Sequence, residues 1–499
     1  MPSTRSWTLQ KCLQGRANDM KYEAVIGLEV HVELATNTKI FCSCSAHSFG
    51  AAPNTHICPT CLGMPGTLPV LNKKVVDYAI KAGVVLGCKI NRKSTFDRKS
   101  YFYPDLPNAY QITQYFSPIA TDGEVEICTA YGKKRIGIQQ IHMEEDAGKL
   151  IHDIKEGVTH IDFNRAGVPL LEIVSRPDLS SAEEVEAYLE RLKTLLRYAR
   201  VAECEMAHGT MRCDVNLSVR PYGSDTFGVR TEMKNMNSIE AIKRAIEFET
   251  ARHIDILENG IEELRQETRR WDEASGKTVP MRTKETAGDY RYAPDPNLMP
   301  LVVNEEWIAQ IQSTLPEFPE IKRERYMRDY SLSAYDAEQL TKSIALCDCF
   351  EDALSVCNSP KEAANWMMGE IMGLLNTKQM TYDMLAIDGK KLGELILLVT
   401  DGKVGRANAR MILDAMFEDT AIDPAAYAKE KDFLVSNDIK HIESVVKSVV
   451  DADAKSVADY KSGKEKALMF LFGKCMKELR GNCNPQLLRE ILCNYVAKL

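Results

Sequence analysis

The 499-residue chain lacks any run approaching 18 consecutive apolar residues, so no transmembrane helix is predicted. It lacks a positive balance: 63 Lys and Arg against 71 Asp and Glu leave a formal charge of −8. That excludes a general basic coat for nonspecific nucleic-acid binding, though not a local basic patch. No G-x-x-x-x-G-K-[ST] and no G-x-G-x-x-G after a strand occurs, which excludes a P-loop and a dinucleotide fingerprint. No G-x-S-x-G and no glycine/serine-rich amidase stretch occurs, so any hydrolytic nucleophile would come from elsewhere. Cysteine is not scarce, but 15 in this length are too sparse for a disulfide scaffold, and four of them cluster. Residues 1–19 have no long apolar core and are no secretory signal. They read as a start called too early, with Met20 the true start; a transit peptide is the alternative.

What is present begins with V-I-G-L-E-V-H-V-E-L, Val25 to Leu34. Ile26, Leu28, Val30, Val32 and Leu34 share one face of a period-2 strand; Gly27, Glu29, His31 and Glu33 share the other. A Glu-His-Glu row without lysine leaves negative charge that a divalent cation would resolve. A solvated acidic strand face is the alternative. Cys42 and Cys44 form C-x-C, and Cys58 and Cys61 form C-x-x-C. Thiol pairs on Gly/Pro-bearing turns suit a tetrahedral zinc knuckle at 41–66, closed by four ligands and therefore structural.

Asn72 to Cys88 reads as an amphipathic helix, and Phe96 to Tyr115 as an ordered loop whose Arg98 and Lys99 are the first phosphate candidates. A strand then ends in Glu144, Glu145 and Asp146; the next, Gly167 to Asp178, buries Glu172 in an apolar run, which is costly without a cation or hydrogen-bond partner. Ser181 to Glu184 is a capping box opening a helix to about Arg200. Alternation puts Arg212, Asp214, Asn216 and Ser218 on one strand face, and Arg230, Glu232 and Lys234 on another; Asn237 and Glu240 cap the following helix. Acids on several strands suit magnesium, which keeps phosphate oxygens in its shell, and hence ATP-linked phosphoryl transfer.

Beyond the prolines of Lys284 to Pro300 the pattern is helical: 305–328, 333–356, 360–376, 389–399, 405–418, 440–450, 453–461, 464–480 and 484–498. Lys455 to Arg480 holds seven Lys/Arg against three Asp/Glu, with Lys461, Lys464 and Lys466 crowding one turn that could meet phosphates.

Taken together, G-L-E-V-H-V-E-L, D-R-K-S-Y-F-Y-P-D, H-M-E-E-D-A-G-K, N-R-A-G-V-P-L-L-E-I-V, R-C-D-V-N-L-S, E-M-K-N-M-N-S and Q-E-T-R-R-W-D resemble the B-subunit family of glutamine-dependent aspartyl/glutamyl-tRNA amidotransferases. N-W-M-M-G at Asn365 and D-Y-K-S-G-K at Asp459 match its tail, so the likeness covers nearly everything beyond residue 19. The resemblance implies an α+β cradle domain at 20–297, with a glutamine-synthetase-like antiparallel sheet and helices. It implies an all-α helical domain at 298–400 and a tRNA-binding helical tail at 401–499. It implies ATP- and Mg2+-dependent phosphorylation of the side-chain carboxylate of Glu-tRNA(Gln) or Asp-tRNA(Asn), then amidation with ammonia. A glutaminase A subunit would make the ammonia and a C subunit would complete a heterotrimer. Carried over, the cation site is Glu29, His31, Glu145, Glu172 and Glu232, with Glu144 close by. Arg98, Lys99 and Lys234 would serve the nucleotide; Cys42, Cys44, Cys58 and Cys61 would hold Zn2+; Lys461, Lys464 and Lys466 would meet tRNA. Where the family reads Y-R-Y-F-P-E-P-D this chain has Y-R-Y-A-P-D-P-N, so Ala293 lacks a ring and Asn297 a charge. A bacterial-type cytoplasmic location is expected, or an organellar one if residues 1–19 are a transit peptide. Two other readings are a stand-alone ATP-dependent carboxylate–amine ligase and a noncatalytic zinc-containing tRNA-binding scaffold.

Overall fold

The computed structural model describes residues 21–153, 155–260, 263–283, 289–435, 439–461, 464–479, 483 and 485–498. The 1–19 extension and the Lys461 side chain lie outside the described residues. Two compact units divide at Pro316/Glu317.

The first unit is built on strands β1 (Tyr22–Glu33), β2 (Lys89–Ile90), β3 (Lys93–Ser94), β4 (Asp97–Ser100), β5 (Tyr110–Thr113), β6 (Ala120–Thr129), β7 (Gly132–Glu145) and β8 (Lys149–Asp153). They are followed by β9 (Val158–Asp162), β10 (Pro169–Ser175), β11 (Met211–Pro221), β12 (Thr231–Lys234), β13 (Glu267–Asp272), β14 (Lys277–Thr283), β15 (Ala293–Pro294) and β16 (Leu301–Val302). Nine form one sheet in the order β14-β13-β12-β11-β1-β10-β7-β6-β2, so β1 is its middle strand. The expected alternation holds: Ile26, Leu28, Val30 and Val32 are buried in the apolar layer, while Glu29, His31 and Glu33 stay half-buried on the other face. Helices Lys73–Val85, Ala182–Tyr198 and Ile239–Asn259 pack on the sheet. Ser181 caps the second by accepting from the Glu184 amide at 3.2 Å.

Four expectations for the first unit need correction. The sheet is mixed, because β12 and β13 run parallel. The Phe96–Tyr115 stretch holds β4 and β5, which pair with each other, β4 pairing also with β15. Residues 298–316 belong to the first unit: β16 pairs with β3, and helix Glu305–Ser313 packs on helix Lys73–Val85. The third helix is capped by Ser238, not Asn237, since Ser238 Oγ accepts from the Ala241 amide.

The second unit is helical. One apolar core runs from Tyr326 to Ala428 around Trp366 and Phe350, and another from Ile442 to Val496. Hence the helices Arg406–Glu418 and Pro424–Glu430 belong with the first core, and the expected boundary at 400/401 does not divide it. The 305–328 and 333–356 helices are each two: Pro319 restarts one at Pro319–Tyr330, and Ser343 caps a new one at Ile344–Cys357.

Behind β12 lies a buried polar network. Glu249, fully buried, accepts from Thr278 Oγ1 at 2.6 Å and Arg252 at 2.5 Å, and stands 3.3 Å from His253, which bonds Thr231 of β12. Burial works against the Glu249 charge, but the bonds from His253, Arg252 and Thr278 win and hold the carboxyl at about 2. Held below the usual 4.5, it contributes stability above pH 4.5 that is lost as the pH falls toward 2. Glu249→Ala removes the buried acceptor shared by Thr278 and Arg252, leaving Arg252 only its longer contact with Glu267, and should cost about 3 kcal/mol. Denaturant unfolding at pH 7 checks this; an unchanged midpoint would show that the network carries no stability.

Candidate active site

Strand register assembles the site on the polar face of the sheet. Glu29 and His31 project from β1; Glu172 of β10 lies opposite His31, and His142 of β7 opposite Glu172. Asp214 of β11 lies opposite Glu29, and β12 supplies Glu232 and Lys234. These groups line a cleft of about 340 Å3 closed by Lys99, Tyr115, Tyr290 and Tyr292.

Two trios of ligand atoms form within it, each trio's members lying within 4.8 Å of one another: His31–Glu144–Glu172 and Glu29–Asp214–Glu232. His31 Nε2 stands 3.3 Å from Glu144 and 3.7 Å from Glu172. Glu29 accepts from Asn216 Nδ2 at 2.8 Å, and Glu232 from Thr268 Oγ1 at 3.0 Å. Lys234 bridges Asp214 and Glu232. Five carboxylates face two lysines here. With the imidazoles neutral, three negative charges remain over, and oxygen-rich trios of this kind can hold hard divalent cations. Metal-free, the site compensates with protons. Burial opposes a charge on His31, yet the bond to Glu144 and the Glu172 charge raise the imidazole to about 9. Burial and then Glu172 push the Glu29 carboxyl up.

The structure brings Glu29, His31, Glu144, Glu172, Glu232, Lys99 and Lys234 together. It does not bring Glu145, an expected cation ligand. Adjacent residues of a strand point to opposite faces; Glu144 faces the cleft, and Glu145 turns back to accept from the Ile112 amide at 2.9 Å. Arg98 is also excluded: it alternates with Lys99 on β4, and its guanidinium is held by Asp295 at 2.7 Å and stacked on Tyr110. Lys99 packs against the Tyr290 ring at 5.0 Å. Burial opposes its charge, but Glu144 and Glu172 push its pKa up, so it stays cationic. Asp214 joins the cleft carboxylates without having been expected there, although alternation alone puts it on the polar face. Tyr290 and Tyr292 carry no local signal, because only the return of a distant segment brings them in; Tyr292 stacks on Tyr115 at 3.9 Å.

The sulfur atoms of Cys42, Cys44, Cys58 and Cys61 converge within 4.8 Å of one another. The Cys42 bond holds the Cys61 thiol down near 5, with Lys39 Nζ 3.6 Å away, and the cluster can hold a metal. It lies near Glu145, with which Cys42 and Cys61 line a small hollow. In the tail, Lys464 is exposed and paired with Asp459 at 2.8 Å, and Lys466 is exposed.

Residues 24–309 match the family described as the GatB/GatE catalytic domain, and residues 348–496 match the GatB domain. The B subunit of the aspartyl/glutamyl-tRNA(Asn/Gln) amidotransferase of Caldicellulosiruptor saccharolyticus is 51% identical over 483 residues, covering 96% of this chain and 100% of the relative. The protein of the same name from Caldanaerobacter subterraneus subsp. tengcongensis is 50% identical over 479 residues, with 96% and 100% covered. That of Clostridium tetani is 48% identical over 481 residues, again with 96% and 100% covered.

A cation bound to the His31 trio has to displace the proton that His31 carries below pH 9. Calorimetric titration of the metal-free protein with Mg2+ at pH 7.5, in buffers of different ionisation enthalpy, should therefore show about one proton released per cation at that trio. Affinity should fall by up to about tenfold per pH unit of acidification. Cation binding without proton release would mean that His31 is not a ligand.

Proposed function

Because the chain belongs to the GatB/GatE family, the B subunits of aspartyl/glutamyl-tRNA(Asn/Gln) amidotransferases, we propose that it activates the side-chain carboxylate of Glu-tRNA(Gln) or Asp-tRNA(Asn). The carboxylate oxygen attacks the γ-phosphorus of ATP and ADP leaves. Ammonia from a partner glutaminase subunit then attacks the acyl carbon, and phosphate leaves as the amide forms. The observation that carries this reading is the pair of ligand trios on one sheet face, next to two half-buried lysines. The mixed sheet with its packed helices supports a cradle similar to glutamine synthetase.

In this reading His31, Glu144 and Glu172 hold one Mg2+, and Glu29, Asp214 and Glu232 a second. Magnesium, when bound, neutralises charge on the transferred phosphoryl group. Lys234 holds Asp214 and Glu232 in register. Lys99 meets the oxygens of the incoming carboxylate or phosphate at the cleft's other end, where Tyr115, Tyr290 and Tyr292 exclude water that would hydrolyse an acyl phosphate. The four cysteines hold a structural Zn2+. A helical tail with exposed Lys464 and Lys466 receives tRNA phosphates, and a C subunit completes a heterotrimer. A cytoplasmic location suits this role in translation.

Two experiments test the reading on the assembled complex. Glu144→Gln should lower tRNA-dependent ATP cleavage and amide formation by at least about a hundredfold, with basal glutamine hydrolysis and melting temperature kept. Glu145→Gln, outside the cleft, should lose far less. Near-normal transamidation by folded Glu144→Gln protein would show that the cleft is not the activation centre. For the tail, replacing Lys464 and Lys466 together by Ala should weaken tRNA binding and flatten its log–log salt slope by about one to two units. An unchanged slope would remove these lysines from the tRNA interface.

A further inference from the structure

Lys39 lies in the loop after β1 and is 0% exposed, the one lysine among the described residues shut off completely from water. Its backbone is tied on both sides. The Lys39 amide donates to the Cys44 carbonyl at 3.0 Å, and the Ile40 amide donates to the Gly167 carbonyl at 3.0 Å. The side-chain stem lies over Gly167, where an added Cβ would stand 3.5 Å from Lys39 Cδ. Among the described residues the ammonium reaches two groups, the Phe163 carbonyl at 3.4 Å and Cys61 Sγ at 3.6 Å. No carboxylate pairs with it there. By contrast, the buried Lys322 and Arg269 each have a glutamate, at 2.6 Å and 2.8 Å.

An ammonium taken out of water is costly unless an anion answers it. The Phe163 carbonyl accepts a bond but carries no charge. The remaining candidate is the cysteine cluster, whose four sulfurs lie within 4.8 Å of one another. Four thiolates around one divalent cation leave two negative charges over. The sulfur nearest Lys39 already faces a second donor, since the Cys58 amide points at Cys61 Sγ from 3.2 Å. Two N–H groups aimed at one sulfur suit a thiolate, which has lone pairs to spare beyond a metal bond.

We infer that Lys39 is the counter-cation of the four-cysteine metal site, its buried ammonium donating an N–H···S bond to the metal-bound Cys61 thiolate. This rests on the structural-zinc reading of the cysteines. Each feature answers what the other lacks. The filled cluster is an anion of two charges in a half-buried knuckle, and Lys39 is a buried cation without a carboxylate. Lys39 stands just before the C-x-C pair of Cys42 and Cys44, so the same loop delivers ligands and counter-charge. Through the Phe163 carbonyl the ammonium also ties the knuckle to the turn that leads into β10, the strand of Glu172. Lys39 thus strengthens the hold on the metal without coordinating it.

The test uses the full-length protein and its Lys39→Met and Lys39→Gln variants. Met keeps the length of the stem and removes the charge; Gln keeps an N–H donor without the charge. Zinc affinity is measured by competition with a chromophoric chelator, and melting temperature with and without Zn2+. Lys39→Met should bind Zn2+ about 10–100-fold more weakly, and Lys39→Gln should lose less. The rise in melting temperature that Zn2+ confers should shrink in both. In Co2+-loaded protein the sulfur-to-metal charge-transfer bands should move to longer wavelength in both variants, because a thiolate without a neighbouring cation gives up an electron more readily. Zinc affinity within about twofold of wild type in both variants, with the cobalt bands unmoved, overturns the assignment and leaves the zinc reading standing. An equal loss of melting temperature with and without Zn2+ overturns it too, since Lys39 then serves the fold alone. If Lys39→Met fails to fold, Lys39→Gln and its cobalt spectrum carry the test. Wild-type protein that takes up neither Zn2+ nor Co2+ at the cysteines would end the zinc reading and this one together.

Discussion

The first unit is organised around five carboxylates gathered on one face of a sheet, answered among the described residues by two lysines and the His31 imidazole. Such a cluster repels itself, and burial raises the cost, as the upward-shifted Glu29 carboxyl shows. A flexible scaffold would relax by spreading the acids apart. This one resists because the opposite face of β1 is locked: Ile26, Val30 and Val32 have no exposed surface, and β1 is paired along both edges. The middle strand of a nine-stranded sheet is the position with least freedom to move. Stability drawn from the apolar layer thus holds a polar layer that would not assemble alone.

The support extends to the sheet's two flanks by different means. On the β12 side it is ionic: Glu249 ties helix Ile239–Asn259 to β13 and β14 through Arg269 and Thr278, and His253 reaches Thr231. Glu232 sits next to Thr231, so the network fixes the strand that presents it. On the β7 side it is backbone-centred. Ile112 donates to Glu145, Gln111 Nε2 donates to the Glu145 carbonyl, and Gln114 accepts from the Met143 amide. These bonds clamp β7 on both sides of Glu144. These interactions sit one residue away from Glu232 and Glu144, where they orient the strands without occupying the cleft carboxylates.

Much of this is legible in the sequence, and the failures share a cause. The period-2 reading of β1, the cysteine pairs and the acids on separate strands all follow from local spacing, and the structure places them accordingly. Glu144 and Glu145 cannot be separated by pattern because they are adjacent acids near a strand end, and a one-residue slip in register exchanges the two faces. Arg98 and Lys99 pose the same problem on β4, where prolines and aromatics make the stretch read as a loop. The tyrosine wall depends on β15 returning to pair with β4, a contact across nearly two hundred residues that no local pattern encodes. Ala293 and Asn297 illustrate the converse. Both depart from the family pattern, yet the backbone pairing of Ala293 with Arg98 needs no ring, and the two tyrosines beside it still reach the cleft.

The displaced carboxyl of Glu145 gives the cysteine cluster a reason to be where it is. Burial, then the nearby Asp295 and Glu144 charges, raise Glu145 to about 7 despite the Ile112 amide. A thiolate at Cys61, 3.6 Å from Lys39, adds to that field. A divalent metal held by the cluster would offset part of the thiolate charge on one side of β7, while cations in the cleft would offset Glu144 on the other. The end of β7 thus lies between two candidate ion sites, with Glu144 facing one and Glu145 the other. A closed thiolate site has no open position for chemistry, so the contribution we propose for it is mechanical. It would fix the strand end that presents Glu144, from the side of β7 on which Glu145 lies.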